Sequence, residues 1–369
     1  MDWNKRIYGQ QEDFRKPFAR DRDRVLHCSS FRRLEYKTQV FLNHEGDYFR
    51  TRLTHTLEVS QIARTLAAML GLNETLAEVI ALSHDLGHTP FGHAGGEELD
   101  RLLKDSGRTN GFEHNFQSFR VLTVLEKRYP EFDGLNLTMA TLEGVLKHSC
   151  PYDKPFIPEW ARESFYLDRH PSFEAVVVDH ADEIAYTSHD IDDGIKYGLL
   201  DFSDMEEEPL AKRVESAVLS EGLKRGDYLF RHRFVAGLIK ILVEDLISSS
   251  KNGIKKYKAD SPMCSMLPAD EPLPLCFSDT IKSELKSMKR FLFKKLYRHS
   301  AIAVKMYAGR ECIGALWKAY NSDMDLLPER QRALCLVRNP QRVIADYIAS
   351  MTDRYALRSY HEIYGISYR

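Results

Sequence analysis

RLTHTLEVSQIARTLAAMLGLNETLAEVIALSHDLGHTP, residues 52–90, is the stretch whose reading decides the fold. Val59, Ile62, Ala63, Leu66 and Leu70 recur at the three-and-four spacing of one helical face, and Gly71 supplies a C-terminal stop. A helix is therefore predicted from Arg52 to Leu70. Asn73 is a suitable N-cap for a second helix through Leu86, with Leu76, Val79, Ile80 and Leu86 as its apolar stripe and Gly87 and Pro90 at its end. His55 lies four residues before Val59 and seven before Ile62, so its imidazole shares the inward stripe. His84 and Asp85 close the second helix, where burying an unpaired acid is costly. A divalent cation between them and His55 would compensate that acid. The competing readings are a core histidine satisfied by its neighbours and an internal His–Asp hydrogen bond.

Outward from this stretch the helical pattern continues. Helices are predicted from about Glu113 to Leu125, closed by Pro130, from Leu142 to Lys147, and from Ser172 to Asp193, where Asp193-Gly194 ends the run. Within the last, Val176-Val177-Val178 alone reads equally well as a short buried strand. Residues 1–50 mix Arg, Asp and aromatics; Arg32-Arg33-Leu34, Tyr36 and Phe41 suggest a lead-in of one helix and irregular strand packed on the domain that follows. The run Glu206-Glu207-Glu208-Pro209 marks a change of composition just after residue 200. Two long helices are expected beyond it, then a long loop at 248–278, rich in Ser, Lys and Pro, then helix again from Ser278 to about Tyr360. There is no internal repeat, sustained heptad or strand-rich stretch. The expected fold is all-α or mostly helical: a lead-in at 1–50, a helical core at 51–200 and a helical C-terminal region at 201–369.

The chain has 369 residues, enough for one large domain with an appendage or for two fused domains. Its 52 basic and 54 acidic residues nearly cancel, so overall charge selects neither nucleic acid nor membrane. Cys28, Cys150, Cys264, Cys276, Cys312 and Cys335 are scattered with no CxxC pair, which argues against a zinc ribbon or a disulfide framework. The N-terminus is charged from its fourth residue and lacks the apolar core of a signal peptide, and no apolar run reaches membrane-spanning length. A cytoplasmic protein without a membrane partner is expected.

A further acid stands in the run Val178-Asp179-His180-Ala181-Asp182-Glu183-Ile184-Ala185-Tyr186. Tyr186 and Asp190 follow Asp182 at i+4 and i+8, close to one helical face, so a metal ligand, a ring and a second acid could line one pocket wall. A solvated acidic helix face is the alternative.

His55, the pair His84-Asp85 and Asp182 match the H...HD...D metal signature of the HD superfamily. HDLGHTPFGHAG at 84–95, FEHNFQS at 112–118, ADEIAYTSHDIDDG at 181–194, DYIASMTDRYA at 346–356 and RRLEYKTQVF at 32–41 narrow the match. Together they resemble the dGTPase-type deoxynucleoside triphosphate triphosphohydrolases of that superfamily. The resemblance implies an HD-domain helical core and hydrolysis of dGTP or several dNTPs to deoxynucleoside and triphosphate, by metal-activated water attack at the α-phosphate. His55, His84, Asp85 and Asp182 would hold the cation, which could be Mn, Mg, Fe or Ni. Arg52 would grip phosphate, His88, His93 and His114 would surround the triphosphate and scissile bond, and His93 would transfer the proton. Gln39, Tyr186 and Asp190 would meet the deoxyribose, and Lys147 and Lys196 are further phosphate contacts. One departure stands out: family sequences commonly carry an acid three residues after the histidine matched by His93, where this chain has Gly96. Glu97 follows at four, within reach of the same helical turn. The resemblance also suggests a homo-oligomer, and an allosteric nucleotide or single-stranded DNA as further partners. Alternatives are another HD phosphohydrolase, such as a nucleoside monophosphatase or a phosphodiesterase, and a nucleotide- or single-stranded-DNA-binding regulator with Lys251, Lys255, Lys256 and Lys258 as its nucleic-acid contacts.

Overall fold

The computed structural model describes residues 2–9, 13–40, 49–149, 156–258 and 267–365. Phe41, Cys150 and Cys264 fall outside them, as does the middle of the 248–278 segment. Among the described residues, sixteen α-helices make up the fold, with only isolated bridges in place of a sheet. None of these helices is long and apolar enough to cross a membrane.

The lead-in forms two helices, α1 (Pro17–Leu26) and α2 (Ser29–Arg33), followed by a single 3-10 turn. The irregular strand expected there is absent from its described residues; Thr38 makes one bridge to Thr51 and nothing longer. Helix α3 (Arg52–Leu70) has the predicted ends. Thr51 and Thr54 cap it reciprocally, and Gly71 takes φ 65°, the left-handed conformation that costs glycine least. Helix α4 (Glu74–Ser83) starts on the Asn73 side chain, which accepts the Leu76 N–H at 3.0 Å, and stops before His84.

Helix α5 (Gly92–Asp105) was not expected, because its opening residues HAGGEE carry no apolar period. Helix α6 (His114–Arg120) passes into a π-turn at 121–125, so the segment ends near Leu125 as predicted. Helices α7 (Met139–Leu146) and α8 (Glu159–Ser164) precede α9 (Phe173–Lys196), which is helical throughout. Val176, Val177 and Val178 are all buried in it, since α9 is surrounded by α3, α4, α7 and α11. A continuous apolar run therefore reflects a central helix here, not a strand.

Helix α10 (Pro209–Ser220) and α11 (Phe230–Lys258) are the two helices expected after the acidic run. Residues 248–258, assigned to a loop from their Ser and Lys content, instead extend α11; Ile254 and Ser250 are buried and anchor its last turns. The chain closes with α12 (Asp279–Leu292), α13 (Ser300–Ser322), α14 (Glu329–Val337), α15 (Pro340–Ala349) and α16 (Asp353–Tyr364).

Two apolar cores organise these helices, and they do not follow chain order. The larger runs from α1 through α12 and holds Leu66, Ile80, Val177, Phe234 and Leu285 among others. The smaller joins Leu99 and Leu103 of α5, with Phe91 and Phe112 on either side of it, to Ile313, Leu316 and Trp317 of α13 and to Ile344 and Ile348 of α15. Helix α5 thus belongs by packing to the C-terminal region. Phe91, just before it, takes φ 60°, which costs an L-residue about 1–2 kcal/mol. Burial of its ring offsets that cost: α13 approaches so closely that a Cβ on Gly309 would lie 2.7 Å from the Cβ of Phe91.

Candidate active site

Helix α3 contributes His55, the end of α4 contributes His84 and Asp85, and the middle of α9 contributes Asp182. Ligand atoms of His55, His84 and Asp182 all lie within 4.8 Å of one another. His55 Nε2 is 3.0 Å from Asp182 Oδ1, and His84 Nε2 is 4.0 Å from the same oxygen. Asp85 flanks them, with Oδ1 3.4 Å from His84 Nε2 and Oδ2 3.9 Å from His55 Nε2. His84 Nδ1 sits 2.6 Å from the Ala81 carbonyl oxygen, which accepts only if Nδ1 carries the proton. Nε2 then presents a lone pair, and it is buried without a hydrogen-bond partner. An orphaned buried nitrogen beside two carboxylates and a second imidazole is what a divalent cation would satisfy, so the residues fit one.

The neighbours reinforce this arrangement. Burial alone would raise the Asp182 carboxyl, but the imidazoles of His148, His55 and His84 around it outweigh that cost and hold it well below the usual range. Asp85 is likewise ionised against the cost of burial, through His84, Arg52 and His88. His55 Nδ1 is 2.8 Å from His189 Nε2, so with His55 as the donor its Nε2 faces the carboxylates with its lone pair. His148 Nδ1 approaches Asp179 at 2.5 Å and its Nε2 lies 3.8 Å from Asp182 Oδ2.

On the adjoining wall Arg52, only 2% exposed, links the carboxylates to the histidines: its Nη1 donates to Asp85 Oδ2 at 2.8 Å while its Nε has no partner. His88 Nε2 is 3.0 Å from Asp85 Oδ1, and the His88 ring stacks on His114 with centroids 4.0 Å apart. His93 stands edge-on to both, at 5.4 and 5.7 Å. Burial, Arg52 and His114 push His88 well below the ordinary imidazole value, and burial with His93 lowers His114 to about 3. Both rings are neutral at pH 7. His93 is exposed at the rim, yet the wall beneath it and Arg52 also hold it below the usual value. A cavity of 170 Å³ is lined by His88, His93, Glu97 and His114 among others. Glu97 borders it but turns outward, 71% exposed, with Arg310 at 3.7 Å.

The predicted sugar-facing residues lie beside these walls. Gln39 Oε1 is buried without a partner, and the backbone of Gln39 and the guanidinium of Arg52 both come close to Gly92. Tyr186 is half-buried, and burial raises its phenol. Asp190 is buried; its Oδ1 is 2.8 Å from His189 Nδ1 and its Oδ2 accepts the Tyr297 hydroxyl.

Lys147 is a correction. Its three ammonium protons are committed to Glu143 at 2.6 Å and to the carbonyls of Tyr166 and Arg169 at 2.6 and 3.0 Å, with the side chain fully enclosed. No donor is left for phosphate. Lys196 points its ammonium over the Phe49 ring at 5.4 Å.

Sequence reasoning assigned no role to His148, His189 or Tyr297. A signal existed for His189, which follows Asp182 by seven residues and so shares its helical face. Tyr297 comes from the turn after α12 and carries no local signal.

Comparison with known proteins agrees with this geometry. Residues 52–187 match the family described as the HD domain, and residues 275–362 match a phosphohydrolase-associated domain. A deoxyguanosinetriphosphate triphosphohydrolase-like protein of Wolinella succinogenes is 58% identical, over 98% of this chain and 99% of its own length. Proteins of the same description from Geobacter sulfurreducens and Brucella suis are 44% and 43% identical, each over 95% of this chain and 89% and 90% of their own lengths.

Proposed function

The chain belongs to the deoxyguanosinetriphosphate triphosphohydrolase-like family of HD-domain proteins, and on that premise we propose that it cleaves deoxynucleoside triphosphates to deoxynucleoside and inorganic triphosphate. A divalent cation, manganese or magnesium in the first instance, held by His55, His84, Asp85 and Asp182, would supply Lewis-acid charge beside the α-phosphate. Arg52 binds phosphate oxygens with the guanidinium edge that Asp85 leaves free. His88 and His114, neutral through burial, donate N–H bonds to the triphosphate without adding charge. A water attacks the α-phosphorus, the bond to the 5′-oxygen breaks, and His93 gives its proton to that oxygen.

At the sugar, the Tyr186 ring packs against C2′ and crowds out a 2′-hydroxyl, while Asp190 accepts the 3′-hydroxyl and Gln39 offers its unpartnered amide oxygen. The observation that carries this reading is Asp85, whose Oδ2 accepts Arg52 Nη1 at 2.8 Å and whose Oδ1 lies 3.0 Å from His88 Nε2, so that the cation-ligand cluster adjoins a wall of three histidines. Incubation with each dNTP and Mn or Mg, with products resolved by ion exchange, tests it. Triphosphate and deoxynucleoside are expected, with loss of turnover on chelation. Release of pyrophosphate or phosphate contradicts the chemistry, and hydrolysis of monophosphates alone would favour a different HD phosphohydrolase.

A further inference from the structure

Asp353, the first residue of α16, is 2% exposed and 262 residues from Phe91 in sequence, yet it reaches two segments that border the site. Its Oδ1 accepts the Phe91 N–H at 3.0 Å. Its Oδ2 accepts the Thr38 N–H at 3.0 Å and the Thr38 hydroxyl as well. Thr38 precedes Gln39, and Phe91 lies between His88 and His93. One carboxylate therefore spans the sugar-side segment and the turn that carries the proton-transfer histidine. A second tie runs parallel to it: Lys37 donates its ammonium both to the His88 carbonyl and, at 2.9 Å, to the Ala349 carbonyl at the end of α15. The left-handed backbone at Phe91, a position whose side chain disfavours it, needs such anchoring.

We propose that Asp353 is a positioning residue of the hydrolytic site, setting the separation between the Gln39 segment and the His88–His93 turn so that His93 meets the leaving oxygen. The proposal rests on the hydrolytic reading above. It gives the DYIASMTDRYA block a task at the site, although Asp353 touches neither cation ligand nor substrate phosphate. Near-attack geometry is steep: a displacement of about 1 Å costs roughly a hundredfold in rate.

Asp353→Asn preserves side-chain volume but sets an NH₂ donor against donors that the carboxylate now accepts. Thr38→Val removes the hydroxyl tie alone. In full-length protein with manganese, D353N is expected to lower kcat for triphosphate release by about tenfold or more, with KM within about threefold and bound manganese per chain unchanged. T38V is expected to show a smaller loss in the same pattern. Amide exchange followed by mass spectrometry should accelerate over residues 88–96 in both variants and stay unchanged over 59–70. Wild-type kcat and wild-type exchange at 88–96 in folded D353N overturn the proposal. So does accelerated exchange spread evenly through both cores with kcat per folded chain intact, which marks a purely structural role. If D353N does not fold, T38V is judged on the same two readouts. A wild-type enzyme with no turnover sinks the hydrolytic reading alone, and the exchange comparison then decides whether the carboxylate sets the turn.

Discussion

Adjacent glycines at 95 and 96 have opposite expected tolerances, and the contrast tests the placement of the catalytic turn directly. A Cβ on Gly95 would lie 2.1 Å from the Pro90 carbonyl oxygen and 2.9 Å from Thr89 Oγ1. Ordinary contact begins near 3.4 Å, so backbone or helix must give by about 1 Å. Overpacking of that kind costs about 1–3 kcal/mol, more than the ~1 kcal/mol that alanine gains over glycine inside a helix. The moving atom sits between His88 and His93, so kcat should fall by roughly a hundredfold in Gly95→Ala. At Gly96 the nearest atoms are 3.7 Å or more from the same ideal Cβ and the backbone is helical, so Gly96→Ala should gain about 0.5–1 kcal/mol and keep its turnover. Thermal unfolding and steady-state triphosphate release on both variants read the two effects separately. A Gly95→Ala protein that melts as high as Gly96→Ala and turns over like wild type would refute the close approach of α5 to the Pro90 turn.

Lys147→Met should leave KM for nucleotide unchanged but destabilise the fold by about 3–5 kcal/mol, because Glu143 is then a buried carboxylate without its partner; denaturant melts alongside kinetics distinguish this from a lost phosphate contact. A Cβ at Gly96 meets only ordinary van der Waals contacts, so Gly96→Asp can place an anion one helical turn from His93. It should raise the His93 pKa, and because the proton donor is lost as pH rises through that value, the alkaline limb of kcat should move to higher pH by less than about one unit for so exposed a pair. A limb that stays in place or moves to lower pH would argue against His93 as the acid.

Sequence and structure agree best where local rules act alone. The C-terminal end of α3 is set by a left-handed glycine visible in the sequence, and His55 and Asp182 sit on α3 and α9, while His84 and Asp85 fall just past the end of α4. Agreement weakens where tertiary contacts decide. Helix α5 opens with glycines that suppress the apolar period, and one of them, Gly95, stands where α5 crosses the Pro90 turn at close range. The valine run of α9 favours a strand by propensity until the surrounding helices are known. Lys147 looked like a phosphate contact beside a histidine, but its partners Tyr166 and Arg169 lie far enough along the chain that only the fold brings them to it. Asp190 was expected to meet the sugar; its neighbour His189 shares the helical face of Asp182, whereas Tyr297 comes from a distant turn that one sequence does not place beside it.

The seating of α5 on the smaller core bears on how such chains can recombine. A crossover that exchanged the C-terminal helices for those of a distant homologue would leave Phe91, Leu99, Leu103 and Phe112 facing a foreign surface while keeping every cation ligand. On the proposed reading, such a chimera would keep the residues for its cation and lose the packing beneath His93. Residues 91–112 and 312–356 therefore pack as a unit, although residues 113–311 separate them in the chain.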